Sequence, residues 1–360
     1  MDKQTVVVLF GGRSSEHSIS SATAGGVLAA IDRDRYAVIP VGITREGAFV
    51  LEQDDPEKFA LDAARMPEVV DNGTRIRWPE AGGDRMLRVV APDGSLVQLG
   101  EVDVVLPILH GAHGEDGTIQ GYFDTLELPY AGGGVLDSAM CMDKHFMKVA
   151  LEADGIAVAP WVTVRERAWR ADSARLRAAI AELGMPVFVK PARAGSSVGV
   201  SKVAHLGELD AALEVAFAED EKVLVETGIV GREIEVAILE GAEGVRASLP
   251  GEIVLTSRGF YDFEGKYLGG EGVEVVCPAA LDEEQIAAVQ RVGVRAFEAV
   301  DGKGLARVDV FLTAEGEIVV NELNTMPGFT PISMFPKCWI ASGLSYSELI
   351  SELIEGGLRR

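Results

Sequence analysis

Arg307-Val308-Asp309-Val310-Phe311-Leu312, a short turn, and then Ile318-Val319-Val320-Asn321-Glu322-Leu323-Asn324 decide how this chain is read. Both runs are apolar enough to be strands, and strand alternation puts Arg307 and Asp309 on one face. It likewise groups Val320, Glu322 and Asn324 on one face of the partner. A turn centred on Ala314-Glu315 pairs Asp309 with Val320 and Arg307 with Glu322, and cross-strand partners share a face. Two carboxylates and an amide then converge beside a guanidinium, a register that a loop of odd length would break. Hard oxygen donors of this kind suit Mg²⁺ with nucleotide phosphates completing its shell. The alternative is a solvated polar face. The apolar flanks argue against it, because two acids within such a segment are costly without a cation.

The rest of the chain must supply the cations. Its 360 residues suit two or three domains, and 48% hydrophobic with 25% charged residues is a globular profile. Lys and Arg total 33 against 56 Asp and Glu, a formal charge of -23. Such a surface repels nucleic acid, so an anionic nucleotide requires local concentrations of positive charge. The three cysteines, Cys141, Cys277 and Cys338, are far apart with no zinc spacing, which points to reduced thiols in a cytoplasmic protein. The opening apolar run Val6–Phe10 is too short for a signal-peptide core, and no stretch is long enough to span a membrane.

Periodicity divides the chain into an α/β part followed by α+β parts, over residues 1–134, 135–231 and 232–360. Thr5–Phe10 reads as a buried parallel strand, Ile19–Ile31 as a helix and Tyr36–Ile43 as a second strand, a Rossmann-like opening. Residues 52–100 read as a helix at 56–64 plus short strands, and Val102–Leu109 as the next buried strand. Beyond Gly132-Gly133-Gly134, helices are predicted near 143–153 and 172–183, with strands at Pro186–Pro191 and Lys222–Glu226 and a helix at Leu206–Phe217. Strands dominate from Arg232 to a helix at Asp282–Val300. Then come the acid-bearing strands, placed at Gly304–Leu312 and Glu317–Asn324, and a final helix near 345–355.

Two further segments have chemical content. Val187-Phe188-Val189-Lys190-Pro191 ends an apolar strand on a lysine, followed by Gly195-Ser196-Ser197-Val198-Gly199. A lysine beside a Gly/Ser loop can hold phosphate with its ammonium and neighbouring N–H groups. Neither a GxxxxGK[ST] loop nor a GxGxxG turn after the first strand is present, which excludes an ordinary P-loop and weakens a dinucleotide reading. His110-Gly111-Ala112-His113-Gly114-Glu115-Asp116-Gly117 follows a buried strand, where α/β sheets bind ligands. His110 is either a general acid or base or the cap of a turn.

These motifs share their order with Gly11-Gly12-Arg13-Ser14-Ser15-Glu16-His17, Met142-Asp143-Lys144, Phe260-Tyr261-Asp262-Phe263-Glu264-Gly265-Lys266-Tyr267 and Asn321-Glu322-Leu323-Asn324-Thr325-Met326-Pro327-Gly328. Over essentially the whole chain they resemble the D-alanine–D-alanine ligases of the ATP-grasp superfamily. The resemblance implies an ATP-grasp fold with an N-terminal Rossmann-like domain. It implies that Lys144 and Lys190 bind the ATP phosphates and Lys266 the γ-phosphate. Glu226, Thr227 and Ile229 correspond to the adenine hinge and Glu233 to the ribose carboxylate. Many relatives carry lysine at the position of Thr227, which leaves a backbone contact there. Asp309, Glu322 and Asn324 correspond to the ligands of Mg²⁺ or Mn²⁺, usually two ions. Glu16 corresponds to the partner of the first D-alanine's ammonium, linked to Ser196 and Tyr267. Arg307 and the N–H of Gly328 form the oxyanion hole. Ser333, with Met334 beside it, meets the carboxylate of the second D-alanine, and His110 belongs to the substrate site.

The activity so implied is ATP-dependent formation of D-alanyl-D-alanine through an acyl phosphate, for cell-wall precursors, by a homodimer. Acyl phosphates hydrolyse readily, and Ser257–Gly270, carrying Lys266 and Tyr267, suits a lid that excludes water. Tyr267 favours an amine over a hydroxyl nucleophile, since the related D-alanine–D-lactate ligases typically replace it. The rivals are such a D-lactate or other dipeptide ligase, a nucleotide-binding sensor without catalysis, and a Rossmann oxidoreductase.

Overall fold

The computed structural model describes residues 3–62, 64–255 and 273–360. The segment Ser257–Gly270, with Lys266 and Tyr267, lies outside the described residues.

The first layer is built on β1 (Gln4–Gly11), α1 (His17–Ala30), β2 (Tyr36–Ile43) and β3 (Phe49–Leu51). A separate antiparallel meander follows, β4 (Arg75–Arg77), β5 (Met86–Val90) and β6 (Leu96–Glu101), before β7 (Val104–Ile108) returns to the main sheet. The order is β3-β2-β1-β7, with β1 parallel to both neighbours. A strand flanked on both faces must be apolar at every position, and Val6 to Phe10 are all 0% exposed. Val6, Val8 and Phe10 pack into the core shared with α1, while Val7 and Leu9 face Trp78, Leu87 and Phe123.

The helix predicted at 56–64 contracts to the 3₁₀ turn Pro56–Phe59. Asp55 accepts from the N–H of Glu57 and Pro56 starts the turn, but only Phe59 finds a buried site, edge-on to Phe10 with ring centres 4.8 Å apart. Residues 60–62 are exposed, so no second apolar contact extends the helix.

Next come α2 (Thr118–Thr125), α3 (Val135–Met142) and α4 (Lys144–Ala153), with α3 unassigned by periodicity. β8 (Trp161–Arg165), α5 (Glu166–Ala171), α6 (Ser173–Glu182), β9 (Val187–Pro191), β10 (Ser201–Val203), α7 (Leu209–Phe217) and β11 (Lys222–Thr227) form an antiparallel sheet, β10-β9-β11-β8, with its own core. The largest sheet contains β12 (Arg232–Gly241), β13 (Gly244–Ala247), β14 (Gly251–Leu255), β15 (Val273–Val276), β16 (Leu305–Leu312) and β17 (Ile318–Asn324). Its path is β15-β14-β12-β16-β17, with β13 on β12. α8 (Glu283–Ala299) covers it, started by a capping box between Asp282 and Gln285. α9 (Met334–Ala341) and α10 (Tyr346–Leu358) close the chain. α9 tolerates Pro336 because a proline in the first turn forfeits no helical hydrogen bond.

The glycine loop at 132–134 packs directly against Gly304. Gly304 has φ +65°, and a Cβ there would lie 2.8 Å from the Cα and O of Gly132. Gly304→Ala therefore combines a left-handed backbone with a backbone clash, and should destabilise the protein by about 2 kcal/mol or more. Thermal unfolding checks this; an unchanged midpoint contradicts it.

Candidate active site

The carboxylate side of the site rests on a register shift that the chain corrects. Leu312 pairs with Ile318 and Val310 with Val320, so the connection, residues 313–317, is of odd length. Continued unchanged, that register would set Asp309 opposite Asn321 and turn Glu322 to the other face. A bulge between Asp309 and Val310 absorbs Asn321 instead, so Asp309 pairs with Glu322 and Arg307 with Asn324. The sequence-based pairs, Asp309 with Val320 and Arg307 with Glu322, are thus displaced: Glu322 and Asn324 still share the face of Asp309 and Arg307, but Val320 pairs with Val310 and packs into the core on the other face. The extra residue restores the parity that the turn alone would have lost.

Arg307 binds Asp309 in fork geometry, Nε to Oδ1 at 2.7 Å and Nη2 to Oδ2 at 2.7 Å, and its Nε lies 3.0 Å from Glu235 Oε2. Burial opposes the guanidinium's charge, but Asp309 and Glu235 outweigh it and hold Arg307 well above its usual range. The Asn324 amide donates to Asp309 Oδ2 at 3.2 Å. Among the described residues, no group of three or more His, Cys, Asp or Glu side chains is arranged to hold a metal. The set here is two carboxylates and an amide, all hard oxygen donors, which suits a divalent ion whose shell is shared with phosphate.

The cationic side comes from β9 and α4. Lys190 is ion-paired with Glu226 and donates to Asn321 Oδ1 at 3.3 Å. The second Glu226 oxygen lies 2.9 Å from the ammonium of Lys148. Burial alone would raise Glu226, but Lys190 and Lys148 hold it down at about 2. Burial would likewise lower Lys190, and Glu226 reverses this, with Glu322 and Glu233 adding to the effect. Lys144 opens α4. Its N–H donates to Ala192 O and its Nζ to Ala194 O at 2.8 Å, which ties the helix start to the Gly/Ser loop. Asp143 caps that helix and is ion-paired with buried Lys222.

The first layer contributes Glu16, 8% exposed at the start of α1. Ser196, at φ +51° in the Gly/Ser loop, donates its Oγ to Glu16 Oε1 at 2.5 Å. A Cβ at Gly111 would come within 2.9 Å of Glu16 Oε2, so that glycine makes room for the carboxylate. His110 is engaged at both ring nitrogens, Nδ1 with Met326 O at 3.0 Å and Nε2 with Thr23 Oγ1 at 3.4 Å, and thereby joins the first layer to the 325–328 segment. Thr227 turns its hydroxyl onto Leu183 O at 3.2 Å. Ser333 caps α9 in position and shares a 2.7 Å hydrogen bond with Thr330, while Met334 is buried over Gly251.

One cavity of about 620 Å³ unites these groups. Its wall includes Glu16 and His110 from the first layer, and Lys144, Lys190, Ser196, Glu226, Thr227 and Ile229 from the middle of the chain. Glu233, Arg307, Asp309, Glu322, Asn324, Gly328, Ser333 and Met334 complete it. Every candidate residue in the described part of the chain lines this cavity; Lys266 and Tyr267 lie outside the described residues.

Comparison with known proteins agrees along the full length. Protein-family models described as the D-ala D-ala ligase N-terminus and C-terminus match residues 5–133 and 150–355. A D-alanine--D-alanine ligase of Arthrobacter sp. (strain FB24) is 51% identical over 99% of this chain and 95% of its own. The chain belongs to the D-alanine–D-alanine ligase family. A ligase of that name from Streptomyces coelicolor is 48% identical over 99% of this chain and 93% of its own. Among solved structures, the VanG D-Ala:D-Ser ligase from Enterococcus faecalis superposes with TM-score 0.85 at 34% identity, covering 99% of this chain and all of that one. The D-alanine-D-alanine ligase from Coxiella burnetii gives 0.83 at 34% identity, covering 100% of this chain and 95% of that one. The α/β and α+β layers are those of the ATP-grasp fold, with the Rossmann-like sheet in front.

Two cavity residues, Asn321 and Glu115, and one residue behind the wall, Lys148, escaped the sequence reading. Lys148 is buried one turn beyond Lys144, a spacing visible in the α4 pattern. Asn321 enters the cavity only through the bulge, which no pattern announced. Glu115 accepts from Gly111 N at 2.7 Å and lies 4.0 Å from His110 Nδ1. Burial by itself lowers His110, and Glu115, with Glu16 and the Met326 carbonyl adding to it, more than compensates, leaving it raised. Because the folded value is raised, the charged imidazolium stabilises the fold at low pH, and this contribution is lost as pH rises through that value. In Glu115→Gln the largest opposing contribution to burial is lost, and His110 should titrate lower than in the unaltered protein. An imidazole NMR titration reads this directly, and an unchanged midpoint in the variant rules out Glu115 as the cause.

Proposed function

We propose that the cavity binds ATP and two D-alanine molecules and joins the amino acids into D-alanyl-D-alanine for peptidoglycan precursors, with ADP and phosphate as the other products. The observation that carries this reading is the meeting, in one cavity, of Lys190 from β9, Asp309 and Glu322 from β16 and β17, and Glu16 from the first layer. A carboxylate is a poor acyl donor until one of its oxygens becomes a leaving group. In the first step, a carboxylate oxygen of the first D-alanine attacks the γ-phosphorus and the bridging oxygen departs with ADP. Lys144 and Lys190 neutralise charge on the phosphates. Asp309, Glu322 and Asn324 would hold Mg²⁺ or Mn²⁺, two ions by family resemblance, which when bound supply Lewis-acid stabilisation of the transferring phosphoryl group.

Glu16, fixed by Ser196, takes the ammonium of the first D-alanine. The amine of the second, oriented through its carboxylate at Ser333, attacks the acyl carbon. Arg307 and the N–H of Gly328 stabilise the oxyanion, and the C–O bond to phosphate breaks, the departing phosphate taking up the proton that the amine gives up. Glu226, Thr227 and Ile229 receive adenine and Glu233 the ribose; with the Thr227 hydroxyl turned to Leu183, its backbone is what remains to meet the base. The His110 ring, held at both nitrogens, supports a positioning role in the substrate site. Family resemblance further supports a homodimer working in the cytoplasm. The three cysteines are free thiols, and among the described residues no helix is long and apolar enough to cross a membrane.

Phosphate release from ATP should depend on D-alanine and not on L-alanine. Product analysis should give D-alanyl-D-alanine in preference to D-alanyl-D-lactate when both acceptors are offered. Glu322→Gln should cut turnover by at least about a hundredfold while preserving the fold by circular dichroism. Near-normal activity in that variant rejects the metal assignment.

A further inference from the structure

Glu226 holds two ammonium groups that differ in kind. Lys190 meets one carboxylate oxygen, lines the cavity, and also touches Asn321. Lys148 meets the other at 2.9 Å from a side chain only 1% exposed. It donates a second bond to Ala159 O at 3.0 Å and lies over the Trp161 ring, 5.4 Å from its centre. Trp161 is itself the β8 partner of Glu226 on β11, so ring, carboxylate and ammonium form one packed unit. Lys148 is absent from the cavity wall, whereas Glu226 and Lys190 both belong to it. A buried ammonium is costly, and nothing in the phosphate or metal chemistry of the cavity requires this one.

Its position identifies what it does. If Lys190 turns its ammonium to a phosphate, Glu226, 4% exposed, loses one of its two cations. A buried carboxylate stripped of its partner is strongly destabilised, so without a second cation the carboxylate would retain Lys190 against the nucleotide. We propose that Lys148 is a positioning residue for nucleotide binding, the fixed counter-ion that lets Glu226 release Lys190 to the phosphates of ATP. Lys148 touches no substrate and acts through Glu226. This inference rests on the assignment of Lys190 to the phosphates.

The test is ADP affinity, measured by titration calorimetry on the full chain carrying Lys148→Met, Glu226→Gln, both, or Lys190→Met. Lys148→Met should weaken ADP binding at least about tenfold, since the carboxylate then competes for Lys190. In steady-state assays it should raise the KM for ATP more than it lowers kcat. Once Glu226 is neutral, Lys148 has nothing left to balance. Adding Lys148→Met to Glu226→Gln should therefore change affinity less than about twofold, a coupling that loss of packing alone would not produce. That comparison also stands if the single Lys148→Met variant does not fold. Wild-type affinity in Lys148→Met, or an equally large loss with and without Glu226→Gln, overturns the proposal. Unchanged affinity in Lys190→Met overturns the phosphate assignment, and this inference with it. A loss in Lys190→Met beside an unaffected Lys148→Met overturns this inference alone.

Discussion

Asp309 and Glu322 stand opposite one another because Asn321 occupies a bulge between strands that would otherwise be one residue out of step. Side chains alternate across a sheet with a period of two, so a slip of a single residue sends a carboxylate to the opposite face. Here the odd-length turn makes the slip and the bulge reverses it. The same bulge brings Asn321 to the Lys190 ammonium. One irregularity in backbone pairing therefore sets the carboxylate face and links it to the strand carrying Lys190. The site on this sheet would not assemble without it.

Around that hairpin, charge is arranged in matched sets. The chain as a whole is strongly acidic, and its cavity gathers Lys144, Lys190 and Arg307 from separate elements. Each is held in place: Lys144 by the carbonyl of Ala194, Lys190 by Glu226, Arg307 by Asp309 and Glu235. Such pairs add little net stability when buried, since desolvation offsets attraction. Their value is positional, because an anionic ligand meets cations already desolvated and oriented. The glycines serve the same end from the other side. Gly111 admits the Glu16 carboxylate, and the left-handed turn at Ser196 presents the hydroxyl that fixes it.

Much of this was legible in the sequence, for reasons that vary by element. The buried strand at Val6–Phe10 and the helix at 283–299 stand out because uninterrupted apolar runs and a 3.6-residue period are strong signals. Most candidate residues are legible because they sit in motifs whose order matches the family; Glu226, Thr227, Ile229, Glu233, Ser333 and Met334 lie outside those motifs and follow from the resemblance alone. Tertiary balance was less visible. The 56–64 helix shrank to one turn once only Phe59 found a buried site. α9 was hidden by Pro336 and α3 by its brevity. Strand register depends on where a turn begins and whether a bulge follows, and neither leaves a mark in composition. Lys148 sits at plain helical spacing from Lys144, yet burial and the Glu226 contact give it meaning only in three dimensions.

The chemistry of the cavity turns on one event, transfer of the ATP γ-phosphoryl group to the carboxylate of the first D-alanine. Turnover of D-alanine labelled with ¹⁸O in its carboxylate, in unlabelled water, follows the oxygen through that event. If the carboxylate is activated as an acyl phosphate, one labelled oxygen from the donor D-alanine must leave in each inorganic phosphate released, and mass spectrometry of the phosphate will find it there. Phosphate carrying only unlabelled oxygen, released in step with dipeptide, would contradict the mechanism.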